Sequence, residues 1–128
     1  MVHTHSLYAT VLATQRRDIP ALHYMIAAFG GAVIRCTPYV PFGTQELSDL
    51  IVEHLADRHG VLLGNHGMVA TGATLEQAMW RAAELEALAK MYVLASAGGA
   101  PVILSDDEIE RTIVRFADYG MTAAPRQP

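Results

Sequence analysis

Hydrophobic and polar positions along the chain change period in a way that divides it into short strands and helices. Val2-His3-Thr4-His5 alternates as an extended strand does, and with a side-chain period of two His3 and His5 share a face. Ser6 predicts a cap for a helix running from Leu7 toward Gln15, stopped by Arg16-Arg17-Asp18 and Pro20. Pro20 to Ala28 reads as a short helix with proline in its first turn, closed by Gly30-Gly31. Thr44 opens a longer one, with Leu47, Leu50, Ile51, His54 and Leu55 near the helical period and Glu46, Asp49 and Glu53 on the polar side; Gly60, after the basic pair Arg58-His59, marks its end. Val61-Leu62-Leu63 and Met68-Val69-Ala70 are apolar strands on either side of the turn Gly64-Asn65-His66-Gly67.

Two capping boxes follow, Thr74-Leu75-Glu76-Gln77 and Ser105-Asp106-Asp107-Glu108. The first predicts a helix reaching Gly98-Gly99 in which Met79, Trp80, Met91 and Tyr92 are packing residues. The second predicts one ending near Tyr119-Gly120. Strand, helix and strand alternate, which makes the fold mixed α/β. The expected organisation is one domain over residues 1–120 and a disordered tail at 121–128, which holds two prolines.

Composition narrows the function classes. At 128 residues the chain is 52% hydrophobic, rich enough to predict that some apolar surface faces a partner. A net charge of −4 provides no basic field for nucleic acid. No run of 18 apolar residues exists to cross a bilayer: the densest stretch, Ala82 to Ala100, is broken by Glu84, Glu86 and Lys90. The single cysteine, Cys36, excludes an internal disulfide, fits a reducing compartment and, following the apolar run Ala32-Val33-Ile34, reads as a buried inert thiol. A cytoplasmic location is the resulting expectation.

The candidate chemistry lies in the histidines. Two on one strand face and a third between glycines at a turn can grip one cation, and three protein nitrogens with one open position is the arrangement of a catalytic zinc site. Any one of them alone is better explained as an ordinary strand or loop residue. His54 and His59 are accounted for by the helix that carries them. The N-terminus of the helix after Ser6, with free N–H groups, could accommodate an anionic group near such a metal, with plain scaffold an equal reading of the helix. By periodicity Tyr24 is ordinary core, continued by Ala27 and Ala28, and His23 has no assignable role.

The succession Val2-His3-Thr4-His5-Ser6, Tyr8-Ala9-Thr10, Ile19-Pro20-Ala21-Leu22-His23-Tyr24-Met25-Ile26-Ala27-Ala28, Cys36-Thr37-Pro38-Tyr39 and Phe42-Gly43-Thr44 resembles the class II aldolase/adducin family, from residue 2 to about Gly120. The resemblance implies helices flanking a largely antiparallel sheet. It implies one Zn²⁺ per subunit on His3, His5 and His66, with Tyr24 as a proton donor reaching a neighbouring subunit's metal and Tyr119 as a second active-site tyrosine. The implied reaction is aldol cleavage of a phosphorylated ketose, such as L-fuculose 1-phosphate to dihydroxyacetone phosphate and L-lactaldehyde. Sugar-phosphate epimerisation or dehydration, or a non-catalytic metal-binding or assembly module, are the alternatives within the same family.

The family's N-terminal portion, with its phosphate-holding segments and glutamate base, has no counterpart in this sequence. The expectation is therefore an incomplete domain, its C-terminal portion, with impaired turnover and an open sheet edge. Such a chain would work as a homo-oligomer, a tetramer by resemblance, or with a complementing N-terminal segment.

Overall fold

The computed structural model describes residues 1–118. Its strands are β1 (Val2–Thr4), β2 (Ile19–Pro20), β3 (Val33–Ile34), β4 (Gly60–Leu63) and β5 (Gly67–Ala70); its α-helices are α1 (Leu7–Thr14), α2 (Gln45–Leu55), α3 (Leu75–Ala97) and α4 (Asp106–Asp118), with a 3-10 helix at Tyr24–Phe29. Tyr119 and the tail expected at 121–128 lie outside the described residues.

β1, β5 and β4 form an antiparallel sheet in that order, with His3 opposite Val69 and Val69 opposite Val61. β2 and β3 pair separately, and the chain after β3 runs parallel to β4, with the Thr37 N–H donating to Leu62 O and the Leu62 N–H to Arg35 O, both at 2.8 Å. All eight residues of β4 and β5 are buried, because helices cover both faces. Leu62, Met68 and Ala70 join the main core with Leu12, Phe29, Leu85 and Leu88. Val61, Leu63 and Val69 alternate to the other face, under Leu47, Leu50 and Leu55 of α2. This is the mixed α/β fold that the alternation of elements predicts, with the antiparallel sheet between helices that the resemblance implies. β1 pairs only with β5 among the described residues, so its outer edge is open.

Four local expectations are corrected. Pro20 does not start a helix: it sits in β2 opposite Val33, and Leu104 N–H bonds to Ala21 O, which holds the chain extended. The helix begins only at Tyr24, its N-cap is His23, whose Nδ1 accepts from the Met25 N–H at 3.3 Å, and Gly30 at φ 86° ends it. α2 stops at Leu55, not at Gly60. Gly60 belongs to β4, where a side chain would meet the Phe29 ring at 2.7 Å, so that glycine serves close packing rather than a helix end. Met79 and Trp80 are exposed, not packed inside.

The fourth correction concerns α1. Ser6 occupies the cap position, yet its hydroxyl makes no capping bond and is buried without a partner. The free N–H groups go instead to Glu86 of α3, whose two carboxylate oxygens accept from Tyr8 and Ala9 at 2.8 Å each. Of the two readings of this helix end, anion site or scaffold, the second holds: the protein's own carboxylate fills it.

Candidate metal centre

β1 delivers His3, the extended residue just after it, His5, the second, and the β4–β5 hairpin the third. His3 and His5, two apart on an extended segment, bring their Nε2 atoms to 3.1 Å of one another. Nitrogens bound about 2.0–2.1 Å from one tetrahedral zinc lie roughly 3.3 Å apart, so this separation suits a shared cation. The three rings are mutually 4.9 Å apart at their centroids, and one nitrogen from each lies within 4.8 Å of the others. His3 Nδ1 lies 2.8 Å from the Met68 carbonyl, which can only accept. The Nδ1 proton is therefore directed at Met68 O, and in the neutral ring this leaves the Nε2 lone pair free, the arrangement that fixes a metal-ligating imidazole. Burial, then the neighbouring His3 and His5, lower the pKa of His66, which favours its neutral, ligating form.

The hairpin tip explains how His66 is aimed. The turn closes with His66 N–H on Leu63 O at 2.9 Å, and its positive φ, 56°, falls on Asn65 rather than on a glycine. The flanking glycines provide close approach instead. A Cβ on Gly67 would stand 2.4 Å from Thr4 O and 2.8 Å from the His5 ring, and one on Gly64 would stand 2.6 Å from Thr37 O. Both keep the hairpin hard against β1 and the segment after Cys36.

The triad opens on a cleft of about 500 Å³ lined by His3, His5, His66, Asn65, Tyr39 and Phe42. Sequence periodicity does not pick out Tyr39 and Phe42; the available signal is that each of these aromatics directly follows a proline, Pro38 and Pro41, where no core pattern requires them. Phe42 is 84% exposed. Tyr24 does not line this cleft. It is 51% exposed on the 3-10 helix, beside His23 and Phe116 of α4 with ring centroids at 4.7 and 6.2 Å. His54 is spent on the Leu50 carbonyl, and His59 lies apart, beside Thr71. Cys36 is half-buried, and burial, reinforced by Asp18, pushes its thiol up to about 11, which leaves it protonated and unreactive.

Three imidazoles thus converge at the edge of a small antiparallel sheet that helices cover on both faces. The chain belongs to the Class II Aldolase and Adducin N-terminal domain family, whose model matches residues 1–93. It is 45% identical over 122 residues to L-fuculose phosphate aldolase from Escherichia coli, covering 94% of this chain and 57% of that protein. Over 128 residues it is 44% identical to the 5-methylthioribulose-1-phosphate/5-deoxyribulose-1-phosphate aldolase of Rhodospirillum rubrum, covering 100% of this chain and 58% of the relative. A solved structure of L-fuculose 1-phosphate aldolase superposes with a TM-score of 0.87 at 42% identity, over 90% of this chain and 54% of that one. The chain spans a little over half the length of the curated relatives it matches.

Proposed function

We propose that this chain carries the metal centre of a zinc-dependent aldolase that splits a phosphorylated ketose, such as L-fuculose 1-phosphate, to dihydroxyacetone phosphate and L-lactaldehyde. The observation that carries the reading is the convergence of His3, His5 and His66, with His3 locked in its ligating tautomer by Met68 O. Likeness to aldolases for fuculose phosphate and for 5-deoxyribulose phosphate supports a phosphoketose as substrate. His3, His5 and His66 would hold a divalent cation, which when bound would supply Lewis-acid stabilisation of negative charge on a substrate oxygen.

The remaining parts come from the chain itself. Tyr39 and Phe42 wall the cleft and offer an aromatic surface beside the three imidazoles. Tyr24, half-exposed and outside its own cleft, donates a proton in the cleft of a second copy, which makes the working unit a homo-oligomer, a tetramer by family resemblance. Tyr119 is assigned the second tyrosine role on the same resemblance. No carboxylate lines the cleft among the described residues, so the other proton transfer and the phosphate grip fall to groups supplied from outside them. We place the reaction in the cytoplasm, supported by the presence of a single cysteine, Cys36, which leaves no internal disulfide to form; no described helix is long and apolar enough to cross a membrane.

The test is metal content by elemental analysis of the chain and of His66→Ala, with cleavage of fuculose 1-phosphate and 5-deoxyribulose 1-phosphate measured on the same samples. Near-stoichiometric zinc that the variant loses, with cleavage of either ketose, is the expected result. Zinc without cleavage would favour the metal-binding or assembly reading, which the carboxylate-free cleft supports. Absence of zinc would overturn the proposal for this chain.

A further inference from the structure

We propose that Arg16 is a positioning residue for His66, acting through Asn65; the inference rests on the metal-centre reading above. Only two non-glycine residues among those described have positive φ, Arg16 at 50° and Asn65 at 56°. They are 49 residues apart in sequence and bonded to each other, Arg16 Nε donating to Asn65 Oδ1 at 2.9 Å.

Arg16 terminates α1. Its N–H bonds to Ala13 O and that of Arg17 to Leu12 O, each at 3.1 Å, the paired pattern that closes a helix through one left-handed residue. Glycine is the usual occupant, because any Cβ is disfavoured there. An arginine at that point fits its backbone poorly. What it supplies, and glycine cannot, is a side chain that reaches the hairpin tip. Ala13 O accepts a second bond there, from the Asn65 N–H at 2.9 Å, so the end of α1 holds Asn65 by backbone and side chain together.

Asn65 immediately precedes His66 in the turn that aims it. Rotation at Asn65 swings the imidazole, whereas His3 on β1 and His5 directly after it are indifferent to it. α1 begins two residues after His5 and ends on the tip that carries His66. It therefore acts as a spacer between two of the ligands and the third, with the Arg16–Asn65 bond as its far attachment. That bond is exposed and individually modest, so its loss should loosen the aim without unfolding the chain.

The test is cobalt(II) titration followed in the visible, with a competing chelator to give Kd, on the wild-type chain, Arg16→Gly, Asn65→Gly and the double variant. Both glycines preserve positive φ while removing one partner of the bond. Each single variant should weaken binding roughly 3- to 10-fold, with a less intense tetrahedral cobalt band. The double variant should be no worse than either single one. The metal-free Tm of Arg16→Gly should equal or exceed that of wild type, since backbone strain is relieved. Electrostatics predicts the opposite sign, because removing a nearby cation strengthens cation binding. Unchanged Kd in the single variants, losses that multiply in the double, or weakening that only follows a fall in Tm would overturn the proposal. A wild-type chain that takes up no cobalt would overturn the metal-centre reading itself, an outcome distinct from wild-type binding with insensitive variants.

Discussion

Glu86 of α3 closes the N-terminus of α1 with both carboxylate oxygens, accepting from Tyr8 and Ala9 at 2.8 Å across 78 and 77 residues of sequence. The contact fixes the start of α1, and with it β1 and the two histidines that precede the helix. Glu86→Ala should cost about 2 kcal/mol, the range of two charge-assisted bonds at a helix end, and Glu86→Gln about half of that because one acceptor remains. Urea denaturation of both variants checks the order; equal stability of Glu86→Ala and wild type would contradict it.

Gly67→Ala tests the approach of the hairpin to β1. The added carbon would meet backbone, Thr4 O at 2.4 Å, as well as the His5 ring, so relief requires the strands to part. A loss of about 1–3 kcal/mol is expected, with weakened zinc uptake in the same sample. Full metal content in a stable variant would show that the strands yield without disturbing His5.

Arg81 is 4% exposed and ties the 3-10 helix to the end of β5, donating from Nε to Ala28 O at 3.1 Å and from Nη1 to Thr71 O at 2.8 Å. Burial lowers its pKa from the ordinary arginine value. Arg81→Leu leaves both carbonyls unpaired and should destabilise the chain by roughly 2–4 kcal/mol in denaturant melts. Tyr24 stands on the tethered helix, so under the proposed function a cleavage assay should register the variant as well.

Cys36 gives a pH dependence of known sign. Its thiol is raised from 9.0 to about 11 in the folded chain, so folding favours the protonated form. That contribution is complete below pH 9 and is lost as pH rises through about 11. Stability should therefore fall across this window, and Cys36→Ala should flatten that part of the profile. Iodoacetamide should modify the native thiol near pH 8 far more slowly than the unfolded one.

Much of the site was legible because it is local. The period of two over Val2–His5 placed two histidines on one face, and the glycine-bounded turn placed the third; the structure brings the three together. Glu86 was illegible because a helix end satisfied from another helix leaves no mark beside itself, and Ser6 offered the ordinary local signal in its place. Pro20 failed for a similar reason: pairing with Val33 and the bond from Leu104 to Ala21 overrode a pattern that suits a helix. Gly60 stood where a helix stop would, but its lack of a side chain answers the Phe29 ring.

The alternation that puts His3 and His5 on one face also makes the site intolerant of misalignment. A slip of β1 by one residue against β5 would present Val2 and Thr4 in their place, and a slip by two would part His3 Nδ1 from Met68 O. No partly correct pairing leaves three imidazoles converging. Metal uptake would then be a census of molecules whose first strand has found its proper partner, and a chelator challenge would report the fidelity of folding as directly as the capacity for chemistry.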